Sequence, residues 1–344
     1  MKIYVIGFGG YGENPVIFDL YGCENINIIE DALVQGEYSD VFVQGGYSGL
    51  IQRIYRAYGE RKERIIYKQL WQILRRIPLV QDIFYSCFKF SKVEFKKEEK
   101  NIILLCCTGF CMGYTRQYLE WVKKRIPNAY YVLYHYDPTD MFFRNLYKDK
   151  TVLELFDKVY NINKQDCRKY GHTYWPLLYS KMEINEINPN SNYNLYFCGF
   201  GADRITLLEE IGKICRQKEI KYRFINFYFD KKQYEGIECI EKPITYKENL
   251  QNVMMSDCIL ELMHNNYDNQ TLRYCEVVVY NKKLLTNNEK IREYPYYNEK
   301  YMRVFRDISE IDWQWLSEKT VVNYGYKDDF SPIKLIENIV EGVR

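Results

Sequence analysis

The sequence has little with which to hold a metal. It contains three histidines, and its eleven cysteines include no Cys-x-x-Cys pair, so a zinc site is not expected. Nor is there an Asp-x-Asp pair; the nearest run, Asp137-Pro138-Thr139-Asp140, has the wrong spacing. No stretch approaches the roughly 20 apolar residues of a spanning helix. The apolar opening Lys2–Ile6 is broken at once by glycines, so a signal peptide is not expected. The net charge of +2 removes any global electrostatic case for nucleic acid as a partner.

What is present suits a protein of two domains in a reducing cytosol. A chain of 344 residues exceeds one ordinary domain. Hydrophobic residues, at 47%, suffice for two cores. The 35 tyrosines put a polar group on a large apolar body, which suits half-buried surfaces and clefts. Scattered cysteines fit a reducing compartment and read as small buried side chains.

Short apolar runs alternate with helical patterns. Strands are expected at Lys2–Ile6, Asn25–Ile29, Val41–Val43, Ile102–Cys107, Ala129–Tyr134 and Lys158–Ile162, with a helix over Thr115–Arg125 and another opening at Asn163. Residues 182–193, rich in Glu, Asn, Pro and Ser, form a break, after which the rhythm restarts. Strands then follow at Asn194–Cys198, Tyr222–Phe229, Ile237–Ile240, Cys258–Met263 and Leu284–Thr286. Helices are expected over Ile205–Lys218, Tyr246–Met255, Leu272–Tyr280 and Pro332–Val343. Repeated strand, turn and helix implies parallel sheets. The expected domains are 1–185 and 186–344, each Rossmann-like, with the last helix free to cross back.

Residues 51–100 stand apart, with 13 Lys or Arg against 6 Asp or Glu interleaved with apolar residues and Trp71. Such a basic amphipathic segment can lie on anionic lipid, which would put the protein at the inner face of the cell membrane. It reads equally well as a solvated face covering the first core.

Four places carry chemistry. Residues 256–288 read as strand, loop, helix and strand. The loop ending at Gln270 delivers Thr271 and Leu272 to a helix N-terminus, where free N–H groups and the helix dipole favour a diphosphate. Arg273 adds a phosphate partner, and Glu276 offers a carboxylate to the hydroxyls of a ribose. Next, Gly199 and Gly201 open a turn to close approach by a ligand, and Arg204 can stabilise a departing diphosphate. In the loop Lys242-Pro243-Ile244, Ile244 can flank a ring. Finally, His135-Tyr136-Asp137 ends a buried strand, the edge at which α/β proteins bind ligands. The run Gly7–Gly12 also matches G-x-G-x-x-G, with Glu30 ending the next strand. That supports an NAD(P)-dependent oxidoreductase as a competing reading.

Residues 256–288 resemble the donor half of GT-B-fold glycosyltransferases, especially those of bacterial capsule, lipopolysaccharide and exopolysaccharide assembly. In that superfamily an acidic residue, seven others and a Glu mark the donor site; Asp268 and Glu276 have this spacing, with Asp where Glu is usual. The resemblance implies two Rossmann-like domains facing across a cleft. It implies a nucleotide-diphosphate sugar such as a UDP-sugar as donor, a glycan or lipid-linked acceptor, no cofactor and no metal. It places Ile244 near the nucleobase and Gly9, Gly10 and Tyr11 on the acceptor side. It gives His135 a donor-sugar contact and Asp137 or Asp140 the role of general base. A GT-B-like binding subunit without turnover, and a polymer enzyme transferring glycerophosphate from a cytidine nucleotide, would share the fold.

Overall fold

A computed structural model of the protein describes residues 1–6, 14–29, 77, 95, 100–107, 116–136, 138–142, 150–184, 192–227, 233–263 and 269–343. These fall into two compact units. One comprises Met1–Asn14, Leu20–Trp175 and Val340–Arg344; the other comprises Pro15–Asp19 and Pro176–Ile339. The chain thus changes units at Trp175, ahead of the polar break seen in the sequence.

Among the described residues the first unit has six strands: β1 (Lys2–Ile6), β2 (Ile26–Ile29), β3 (Asn101–Cys107), β4 (Ala129–His135), β5 (Lys158–Asn161) and β6 (Thr173–Tyr174). They lie in the order β2-β1-β3-β4-β5-β6, every pair parallel. Parallel sheets are covered on both faces, so their strands read as continuous apolar runs. Helix α1 (Arg116–Arg125) lays Leu119 and Val122 on Ile103, Leu105, Tyr131 and Leu133. Two short helices follow, α2 (Thr139–Phe142) and α3 (Lys164–Tyr170).

Helix α3 shows how local chemistry sets its ends. Asn163 Oδ1 accepts from the backbone N–H groups of Gln165 and Asp166, and Gly171 closes the helix at φ 72°. Such caps satisfy groups that the helix itself leaves unpaired. Asn163→Ala is therefore expected to cost about 1 kcal/mol of stability. Urea unfolding checks this, and an unchanged midpoint would show that the cap contributes nothing.

The second unit carries β7 (Tyr193–Gly199), β8 (Tyr222–Phe227), β9 (Glu238–Ile240), β10 (Ser256–Glu261), β11 (Lys283–Thr286) and β12 (Met302–Val304). Their order is β12-β11-β10-β7-β8-β9, again all parallel. Counted within the unit and read from β9, this is 3-2-1-4-5-6, the Rossmann order. Helices α4 (Ile205–Gln217), α5 (Tyr246–Met254), α6 (Leu272–Val279) and α7 (Trp313–Ser317) belong to it, as does α8 (Pro332–Val343) as far as Ile339. Leu208 and Ile211 of α4 pack with Leu195, Phe197, Phe224, Leu260 and Leu285 of the sheet.

The expectation of two Rossmann-like α/β units with parallel sheets is met. Strands β6 and β12 and helix α7 are additions that the sequence did not indicate. The expected strand Val41–Val43 lies outside the described residues, as does the basic segment 51–100 apart from Ile77, Phe95 and Lys100. Among the described residues no helix is long and apolar enough to cross a membrane.

Candidate functional site

The strand order of the second sheet reverses between β7 and β10, and the carboxyl edge at such a switch point is where open α/β sheets take ligands. Three pieces of backbone meet there: the turn after β7, the residues after β10, and the opening of α6.

Two arginines tie these pieces together. Arg204, in the turn after β7, donates from Nη1 to the Leu262 carbonyl beyond β10 and from Nη2 to the Phe200 carbonyl of its own turn. Its Nε is buried and has no hydrogen-bond partner. Burial, and to a lesser degree Arg273, pull its pKa below the ordinary arginine value, yet a guanidinium keeps its charge in proteins. Arg273, in the first turn of α6, reaches the opposite way, from Nη2 to the Cys198 carbonyl of β7. Its Nη1 pairs with Glu276 one turn on. Burial opposes the charge on Arg273, but Glu276, with Cys198 and Tyr196, outweighs it and raises the pKa.

Thr271 is the N-cap of α6, its Oγ1 accepting from the Tyr274 N–H at 3.2 Å. The same hydroxyl donates to Glu261 at the end of β10, and Thr286 at the end of β11 donates to the other Glu261 oxygen at 2.5 Å. Burial pushes the Glu261 carboxyl above the usual range, against the opposing pull of the two threonine hydroxyls and of Arg273 and Arg204. The hydroxyl of Thr271 is thus engaged, and what α6 offers a ligand is backbone N–H.

Glu276 sits differently from the open carboxylate expected of it. It has no exposed surface. Its Oε1 accepts from Tyr246 Oη at 2.9 Å and Asn249 Nδ2 at 3.0 Å, both on α5, and its Oε2 takes Arg273. Three donors on about four lone-pair sites leave room for at most about one more hydrogen bond, not the pair a ribose would bring. Tyr179 and Tyr196 extend the network. Tyr196 donates to Asn249 at 3.1 Å, and the hydroxyls of Tyr179 and Tyr246 lie 2.8 Å apart. Because a carboxylate only accepts, Tyr246 donates its hydroxyl hydrogen bond to Glu276 and accepts one from Tyr179. Burial pushes both phenols well above their ordinary value. The physical reason for the closed position is that α6 is covered all round here: every residue from Tyr274 to Val279 is buried.

The other sequence candidates distribute as follows. Gly199 ends β7 half-buried and Gly201 is buried in the turn. Gln270 is buried and accepts the Leu177 N–H at 2.8 Å through Oε1. Leu272 and Ile244 are half-buried. Asp268, Asp137, Gly9, Gly10, Tyr11, the run Gly7–Gly12 and Glu30 lie outside the described residues.

In the first unit, His135 ends β4 fully buried, with Asn161 Nδ2 against its ring at 2.8 and 3.0 Å. His172 meets His135 edge-on at 5.5 Å and stacks on Tyr170, and burial lowers its pKa. Asp140 is held by Lys169 and Tyr170.

Three residues of the second-unit edge escaped the sequence reading: Glu261, Thr286 and Asn226. Asn226, fully buried at the end of β8, accepts the Gly201 N–H at 2.6 Å. A lone polar residue near the carboxyl end of an apolar strand is the signal that marks each.

No protein-family description and no curated protein sequence matches this chain. Solved structures similar to it include the trehalose-6-phosphate synthase OtsA, at 12% identity and TM-score 0.47, covering 83% of this chain and 84% of that one. An alpha,alpha-trehalose-phosphate synthase (UDP-forming) from Burkholderia vietnamiensis matches at 10% identity and TM-score 0.44, covering 83% and 82%. An alpha-glucosyltransferase in complex with UDP-glucose and DNA containing an abasic site matches at 12% and 0.40, covering 83% and 79%. Likenesses of this strength assign no activity.

Proposed function

We propose that this chain transfers a sugar from a nucleoside diphosphate donor to an acceptor hydroxyl. The observation that carries the reading is the pair Arg204 and Arg273, reaching in opposite directions across the switch point beside the opening of α6. In glycosyl transfer the bond from the anomeric carbon to the diphosphate oxygen breaks, and negative charge gathers on the departing diphosphate. Fixed cations and N–H groups at that place stabilise the charge where it develops. Two guanidiniums would supply the neutralisation that a divalent cation gives elsewhere, so no metal is part of the proposed chemistry.

Within this reading Gly199, Thr271 and Leu272 present backbone to the diphosphate, Gly201 keeps the turn free of a side chain, and Ile244 flanks the base. Glu276 acts on the donor chiefly through Arg273. Acceptor handling falls to the first unit, with Asp137 or Asp140 taking the hydroxyl proton. The likeness of residues 256–288 to capsule and lipopolysaccharide enzymes supports a cell-surface glycan or lipid-linked acceptor.

The test is thermal unfolding with UDP, GDP, CDP, dTDP and NAD. A nucleoside diphosphate at about a hundred times its dissociation constant should add about 2.7 kcal/mol of stability. Stabilisation by NAD alone would replace this reading with the oxidoreductase one. Stabilisation by none of the five would remove it.

A further inference from the structure

Asn226 is where the site holds a donor that nothing in the protein uses. It lies in register with Gly199 across β7 and β8, at the carboxyl edge of the sheet. It has no exposed surface, and its amide Nδ2 has no partner. Its orientation is fixed by chemistry. The Gly201 N–H can only donate, so it must meet Oδ1, which leaves Nδ2 on the other side of the amide plane. A buried donor without an acceptor forfeits the hydrogen bond it had in water, and a fully buried amide in this state calls for an explanation.

The surroundings supply one. A Cβ on Gly201 would collide with Oδ1 of Asn226 and sit 3.3 Å from its Nδ2, so glycine is what leaves the amide room. The Arg204 N–H bonds back to the Gly201 carbonyl, closing the same turn, and the Nε of Arg204 is the second buried donor without a partner. One unmet donor in the turn and one on β8 that holds it, at the switch point of a Rossmann sheet, suit a ligand that brings acceptor oxygens and no protons.

Resting on the sugar-transfer reading, we infer that Asn226 binds the donor directly once the Gly201 turn shifts to admit it, its Nδ2, which has no accessible surface in the ligand-free protein, then donating to a phosphate oxygen of the diphosphate. The residue does two things at once, and they can be separated. Asn226→Asp keeps the acceptor for Gly201 and removes the amide donor. Asn226→Ala removes the donor without adding charge.

Calorimetric titration of the full chain with UDP and with inorganic pyrophosphate provides the test, alongside melting of the ligand-free proteins. The Asp variant, which also buries a carboxyl, should melt below the parent, and it should bind both ligands at least tenfold more weakly, with a comparable loss in the Ala variant. Parent-like pyrophosphate affinity in either variant overturns the inference, because Asn226 would then only support the turn. So does a parent protein that binds neither ligand. Pyrophosphate binding that depends on Asn226, in a protein that ignores every nucleoside diphosphate, would leave the subsite standing and remove the sugar-transfer reading instead.

Discussion

Arg204→Ala is expected to lower kcat of sugar transfer by about 100- to 1000-fold, the loss that follows removal of one donor aimed at developing negative charge. The size of the effect comes from where the guanidinium sits. It spans the ends of β7 and β10 through the carbonyls of Phe200 and Leu262. Its position is therefore set before any ligand arrives, and no reorganisation is needed as the diphosphate departs. Arg204→Lys should recover only part of the loss, because a single ammonium cannot hold two carbonyls in a fixed fork. The KM for donor should change less than kcat, since the charge on the leaving diphosphate is largest in the transition state. An Ala variant that keeps parental kcat, with unchanged melting, would take Arg204 out of the chemistry.

The architecture was legible because it rests on one strong signal. Buried parallel strands read as short apolar runs, and Lys2–Ile6, Asn101–Cys107 and Tyr193–Gly199 stand out against their polar flanks. Strand β6 has two residues and β12 has three, too few for any periodicity to show. They exist because a neighbouring strand offers them a ladder: Tyr160 and Asn161 for β6, and Leu284 to Thr286 for β12.

The site was legible by position and not by partnership. The Gly199–Arg204 turn and the start of α6 could be placed because glycine, strand and helix signals fall in sequence order. What Glu276 touches could not be read, since Tyr246 and Asn249 stand on α5, 30 and 27 residues away. A helical pattern tells which face is buried but not what waits on it. A buried carboxyl on α6 needs hydrogen-bond donors from another element, and here α5 brings two. Glu261 follows the same logic, its hydroxyl partners coming from separate stretches of chain. Buried polar groups are specified by three-dimensional satisfaction, which a one-dimensional reading does not contain.

That dependence makes Arg273→Met strongly destabilising, at about 3–5 kcal/mol, the usual loss when one partner of a buried ion pair is removed. The carboxylate of Glu276 would remain fully buried with only Tyr246 and Asn249 to hold it, and the Cys198 carbonyl would lose its donor. Methionine fills the stem of the guanidinium side chain, so the loss reports the charge more than a cavity. Glu276→Gln alone should cost less. Its side-chain oxygen can still accept from Tyr246 and Asn249, although the amide then faces Arg273. Combining the two removes both charges, and the double variant should be more stable than the sum of the single losses predicts, by about 1–3 kcal/mol. Urea unfolding of the four proteins measures this coupling directly. Simple additivity would mean that Arg273 and Glu276 do not sense each other. Arg273 would then lack the support that aims it at the switch point, and the proposed diphosphate site would lose one of its two cations.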